Sequence, residues 1–321
     1  MTSKSSATAF LLEPLPTGPS GNGLGLGLLG VLAFSFTVPF TRLAVRSLDP
    51  LFIGAGRAVI AGILALASLA ITRQLHPTPG QWKRLAVVAG GVVLGFPLMS
   101  TFALRSVPAS HGAVVIALLP AATAVVAVLR SHERPPSRFW LAAGLGALAA
   151  IGFGVSHSGE MSHLQNADLL LFGAVVAAAI GYAEGGLLAR ELGAWQTVSW
   201  ALVLVLPVMV GLTYWSMHQS PPKASLLEWG AFSYLGVVSM FLGFFAWYRG
   251  LAIGPMAQVS QTQLVQPVLS ICWAVLLLGE HITWKMIISA TAVIVCALSA
   301  VRIRLTRATA PTIHLQRDGC T

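Results

Sequence analysis

The sequence predicts an all-α integral membrane protein of ten transmembrane helices, arranged as two inverted five-helix repeats. Three observations predict it. Of the 321 residues, 56% are hydrophobic and 9% charged, whereas a soluble domain carries about 25% charged residues. Ten apolar windows each approach the length of about 20 residues that a spanning helix needs. Scarce residues also recur at one spacing: Trp82 and Trp229, Leu104 and Leu251, Pro108 and Pro255, Pro120 and Pro267, and Glu133 and Glu280 are each 147 apart.

The windows are 23–44, 51–72, 85–104, 109–129, 137–156, 168–189, 196–216, 227–248, 256–278 and 284–305. Long continuous apolar runs predict helices, because a membrane barrel shows shorter segments of strict alternation. The first 22 residues are polar, hold Pro14, Pro16 and Pro19, and have no apolar stretch beyond Ala9–Leu12. They predict a disordered cytoplasmic tail rather than a signal peptide. Residues 23–156 form the first repeat, 157–167 an outer linker, 168–305 the second repeat and 306–321 a second cytoplasmic tail.

Basic residues give the orientation. With the N-terminus inside, thirteen Lys and Arg flank the inner ends and five the outer ends, Arg57 lying within the second window. Positive charge favours the cytoplasmic side, so both termini are expected there, in a bacterial-type inner membrane. This placement also accounts for the net charge of +9 without nucleic acid. Trp82, Trp140, Trp195, Trp215, Trp229 and Trp284 fall near window ends, where aromatic belts form. Five windows per half reverse the second half in the membrane. Such inverted repeats belong largely to transporters, with a site between the halves.

The segment LAIGPMAQVSQTQLVQPVLSICWAVLLLGEHITWKMIISATAVI carries a small-residue turn at 253–255, Pro267 in mid-helix, and LLLGE ending at Glu280. It resembles the second half of the EamA family of the drug/metabolite transporter superfamily. The first half repeats the theme with SVPAS, Pro120 and Glu133, although LRSHE lacks the glycine. Within that family the chain resembles the YddG-type exporters of aromatic amino acids. The resemblance implies a central cavity lined by helices 1, 3, 4, 6, 8 and 9, and efflux of amino acids or related metabolites.

The ninth window carries Gln258, Ser260, Gln261, Thr262, Gln263 and Gln266. Gln258, Thr262 and Gln266 are spaced by four, on one face of a helix. Amides facing lipid go unsatisfied, so these face protein or water. They predict either a polar wall that binds a substrate's carboxylate or amine, or interhelical hydrogen bonds. Their counterparts His111, Val115 and Leu119 are mostly apolar, which predicts a lopsided site. Pro120 and Pro267 free the carbonyls of Ile116 and Gln263 and predict kinks.

Phe36, Phe40, Tyr182, Phe244, Trp247, Tyr248 and Trp273 are candidates for stacking on an apolar substrate, or for plain packing. Thr37, Thr41, Ser100, Thr101 and Ser239 offer hydroxyls to a substrate or to their own backbone. Arg57 and Glu184 are the clearest charges within windows. Arg57 lies too deep to reach an interface easily; Glu184 is expected to be solvated. Because no Asp or Glu stands at the centre of a window, facilitated or weakly coupled transport is expected.

Gly25, Gly27 and Gly30 fit a dinucleotide-binding pattern, but no strand precedes them, and close helix packing is expected instead. Gly91 and Gly95, Gly181 and Gly185, and Gly250 and Gly254 have the same small-residue spacing and are expected to serve close packing too. The three cysteines lack metal-ligand spacing, and no metal or cofactor is expected. The expected function is export of aromatic or apolar amino acids or related metabolites, by a monomer or weak homodimer. Another metabolite, such as a nucleotide-sugar-like solute, is the alternative. A lipid-modifying enzyme is remote, since only His157, Glu160 and His163 cluster at one loop.

Overall fold

A computed structural model describes residues 21–131, 136–157, 166–253 and 262–308. Among these, all regular structure is helical, and seven helices are long and apolar enough to cross a membrane. They are Gly23–Ala44, Pro50–Ile71, Pro79–Ser106, Ala109–Arg130, Asn166–Leu192, Ala194–Gln219 and Leu226–Gly250. Helices Ser137–His157, Thr262–Leu278 and Trp284–Ala308 stand at the other three windows. Residues 1–20 and 309–321 of the expected tails, 158–165 of the linker, and Gln258, Ser260, Gln261, Glu133, Glu160 and His163 lie outside the described residues, while 21–22 and 306–308 continue the flanking helices.

Several of these helices are broken, each for a readable reason. The first divides into α1 (Gly21–Ser35) and α2 (Thr37–Ala44). Pro39 has no N–H for the carbonyl of Ser35, four residues back. The Ser270 hydroxyl donates to that carbonyl instead, at 2.8 Å. Helix α3 (Pro50–Ile71) starts on Asp49, whose carboxylate accepts from the N–H groups of Leu51 and Phe52 at 2.9 and 3.2 Å. Such a cap satisfies donors that have no partner within the helix.

The third span joins α4 (Pro79–Val88), a π-helical stretch Ala89–Gly95, and α5 (Phe96–Ser106). A wider π turn suits a segment where Gly90, Gly91 and Gly95 crowd little and Pro97 donates nothing. The fourth span, α6 (Ala109–Ile116) and α7 (Leu119–Ser131), breaks at Ala117–Leu118. Pro120 is the second residue of α7, and the carbonyl it leaves unbonded, that of Ile116, falls at the end of α6.

Helices α8 (Ser137–His157), α9 (Asn166–Leu192) and α10 (Ala194–Gln219) follow. Then come α11 (Leu226–Tyr234), a second π-helical stretch Leu235–Leu242, and α12 (Gly243–Ile253). A 3₁₀ turn Thr262–Val265 leads into α13 (Gln266–Leu278), with Pro267 in its first turn. Helix α14 (Trp284–Ala308) closes the described chain. The 3₁₀ turn corrects one expectation. Thr262 and Gln266 do not share a regular α-helical face, because the intervening turn is wound three residues per turn. Gln263 and Gln266 are the buried pair, 4% and 8% exposed.

Local features repeat at the sequence offset. Thr78 and Gln81 form a capping box at the start of α4, and Ser225 and Glu228 form another at the start of α11, 147 residues on. The π-helical stretch follows each box at nearly the same distance.

Packing pairs α3 with α10, α8 with α14, α1 with α12, and α9 with the third and fourth spans. Ala58, Ala61 and Ala65 run down the buried face of α3, where small side chains let helices close up. The closest approaches involve glycine. A Cβ on Gly91 would stand 2.3 Å from the carbonyl oxygen of Ala177, beside Gly181. One on Gly250 would stand 2.8 Å from the Gly27 nitrogen. The outward faces are apolar, with Ile63, Leu66, Val208 and Val176 exposed, as contact with lipid requires.

Candidate functional site

A cavity lies where elements from both halves of the chain meet. Phe34, Thr37 and Val38 reach it from the first span, Val92 and Phe96 from the third and Leu119 from the fourth. From the second half come Tyr182 on α9, Ser239, Met240 and Phe244 around the second π stretch, and Gln266 on α13. The six helices implied by the family resemblance therefore all contribute. Helix α3 joins them through Arg57. Both π stretches supply lining residues, so the wider turns sit at the cavity wall.

The cavity is narrow in this state. Its volume is about 30 Å³, room for two or so water molecules, since each needs about 10–15 Å³ by this measure. A smaller space beside it is lined by Ala113, Ile116, Pro120, Gln263, Pro267 and Ser270. Val38, Leu119 and Gln266 border both spaces and form the partition between them. The two prolines thus face one small volume from α7 and α13.

Thr37 and Ser239 join the halves by a hydrogen bond of 2.7 Å between their hydroxyls. Phe36 and Trp273 stack on each other, centroids 4.4 Å apart and planes 17° apart, beside the cavity rather than in its wall. The Trp273 indole N–H donates to the Ser35 hydroxyl at 2.9 Å. Tyr182 and Phe244 meet edge to face in the wall, centroids 6.0 Å apart. Ser100 turns to its own backbone, donating to the Phe96 carbonyl at 2.6 Å, and does not line the cavity. Thr41 is buried with its hydroxyl unpartnered, away from the wall. Thr262 lies in the 3₁₀ turn, outside both linings.

Arg57 is the only charged group among the described lining residues. It is 2% exposed. One guanidinium nitrogen donates to the Thr101 hydroxyl at a long 3.4 Å, and Nε has no partner. Leu119 makes the α7 wall apolar, but the polar lining is not confined to the second half as the ninth window's amides predict, since Thr37 and Arg57 come from the first.

Glu184 corrects the expectation of a solvated carboxylate. It is 6% exposed, because α9 carries it against two arginines of the first half. Arg84 on α4 and Arg130 on α7 both donate to it, the latter at 3.0 Å, and Arg84 also reaches Glu191. At the opposite end Glu280 accepts from the N–H groups of Ala109 and Ser110 at 2.8 and 2.9 Å. The first turn of α6 favours a negative charge there. Asp49 accepts from Ser216 at 2.7 Å, and Glu228 accepts from Ser47. Polar contacts thus bridge the two halves of the chain at both ends of the spans.

Asp168 was not singled out in the sequence because it stands only three residues into α9. It is nevertheless 1% exposed and 2.7 Å from His111 Nε2 on α6. A protonatable pair is therefore buried between the halves, although no carboxylate stands at mid-span. Among the described residues no group of His, Cys, Asp and Glu is arranged to hold a metal ion.

The family model described as the EamA-like transporter family matches residues 21–155 and again residues 165–302. The chain is 45% identical over 287 residues to an uncharacterized transporter, YdeK, of Bacillus subtilis (strain 168), covering 88% of this chain and 97% of that one. A solved crystal structure at 17% identity covers 88% of this chain and 99% of its own, with a TM-score of 0.59. At that identity the likeness is one of fold.

Proposed function

The chain belongs to the EamA-like transporter family and is a multi-pass membrane protein, and on that premise we propose that it exports aromatic or apolar amino acids, or closely related metabolites, by alternating access. In this reading ten spans form two inverted five-helix halves, with both termini cytoplasmic in a bacterial-type inner membrane. The observation that carries it is the constricted cavity: both halves line it, and polar contacts bridge them at both ends of the spans. At about 30 Å³ it is far below the 300–1,000 Å³ of an occupied ligand pocket, as an occluded resting state would be.

The repeated match of the family model and the recurrence of capping box and π stretch support the inverted halves. The wall supports the substrate class. Phe34, Tyr182 and Phe244 offer rings to an apolar body, while Thr37, Ser239 and Gln266 offer hydrogen bonds to its polar end. One cation in the lining is too little for a phosphorylated solute, which disfavours a nucleotide sugar.

The test is flux of labelled phenylalanine and leucine in proteoliposomes holding the purified chain. Gln266→Leu and Gln263→Leu are expected to cut flux about tenfold or more, the loss of one or two polar contacts of about 1.4 kcal/mol each. Yield and insertion should stay normal. Undiminished flux in both variants contradicts the assignment of this wall to substrate.

A further inference from the structure

Among the described residues Arg57 is a buried cation that forms no ion pair. A buried cation without a counter-charge is destabilising by several kcal/mol, and charged groups in membrane interiors mark function. It is 2% exposed, its Nε is unpartnered, and its hydrogen bond to the neutral Thr101 hydroxyl is a long one. Thr101 does not compensate it, because its hydroxyl is neutral and lies at 3.4 Å, its own proton being donated to the Pro97 carbonyl at 2.6 Å. The guanidinium borders the cavity, and the described lining contains no carboxylate to neutralise it.

We propose that Arg57 is the anchor for a carboxylate, so that the transported solute is one with a single carboxylate on an apolar or aromatic body, and that a free amine on it is dispensable. The inference rests on the transport reading above and narrows its substrate. A guanidinium presents a planar fork of donors that matches a carboxylate's two oxygens. Its unsatisfied donors supply the polar end of the site, and Tyr182 and Phe244 lie in the same wall for the apolar end. A phosphate dianion would need a second cation. An ammonium group would need an anionic partner, and only neutral hydroxyl and amide oxygens are at hand among the described lining residues. The solute's charge therefore completes an ion pair that the empty protein leaves open.

The proposal is tested on the purified full chain in detergent, by thermal unfolding with 3-phenylpropionate, phenylalanine, phenylalaninamide or sodium chloride as the probe. Both carboxylates are expected to raise the Tm, the amide and chloride to leave it unchanged. A shift with phenylalanine alone would assign the site to the zwitterion and overturn the dispensable amine. Arg57→Met should abolish the shift, and Arg57→Lys should weaken the apparent affinity about 10- to 100-fold. Without ligand, Arg57→Met should melt at or above the wild-type temperature, because it removes an uncompensated buried charge. An arginine that merely holds the fold together would give the reverse. Equal shifts with amide and carboxylate, or a lowered Tm in Arg57→Met with the ligand shift intact, overturn the proposal. So does the absence of any shift with carboxylates, while proteoliposome flux of a neutral solute would still uphold transport.

Discussion

Ser35 joins two helices through atoms that only a broken helix leaves free. Pro39 releases its carbonyl, Ser270 occupies it at 2.8 Å, and its hydroxyl takes the indole N–H of Trp273 while donating to Leu32. Ser270→Ala leaves a buried carbonyl without a donor. It should lower stability by about 1–3 kcal/mol in thermal unfolding. Ser299→Ala on α14, whose hydroxyl bonds the Val295 carbonyl at an exposed site, should change it by less than about 0.5 kcal/mol. Equal effects contradict the role given to Ser270. Trp273 was visible in the sequence as a candidate for stacking or plain packing. Its partners were not visible: Pro39 frees the Ser35 carbonyl wherever it stands, but nothing in residues 23–44 says which helix supplies the donor until the helices are packed. Arg57 was conspicuous as a charge in an apolar run. That it meets no counter-charge among the described residues is a fact of packing alone.

At the scale of elements, the proline breaks were legible and the π stretches were not. Pro120 and Pro267 lack a donor wherever they stand, so composition marks them. A π turn only respaces hydrogen bonds within an apolar run, which leaves hydropathy unchanged. Glu184 was misread, and Asp168 passed over, for a related reason. Distance along a helix estimates depth in the membrane, but burial depends on which neighbour covers the end. The glycine contacts of α9 give a sharp test. Gly181→Leu would push a side chain into Val92 and the backbone around Gly91. It is expected to destabilise the fold by about 1–3 kcal/mol or more, as overpacking does. Gly186→Leu on the same helix, with open space at its Cβ, should be tolerated. Comparable melting temperatures for the two variants would contradict this packing.

For the whole molecule, the duplication was legible because Trp, Pro and Glu are scarce enough for a shared offset to stand out from apolar background. The family model's two matches and the paired capping boxes fall on the same division. The cavity's narrowness was not legible, because it reflects how the halves are closed on one another. The central claim is that equivalent points in the two halves face opposite sides of the membrane. Gly80 and Leu227 are such points, 147 residues apart, both exposed in the first turns after the capping residues Thr78 and Ser225. The direct measurement places a single cysteine at each in a background lacking Cys272, Cys296 and Cys320, and labels intact cells and inverted vesicles with a membrane-impermeant maleimide. Labelling of Leu227→Cys in cells and of Gly80→Cys only in inverted vesicles is the predicted result. Labelling of both from the same side would contradict it.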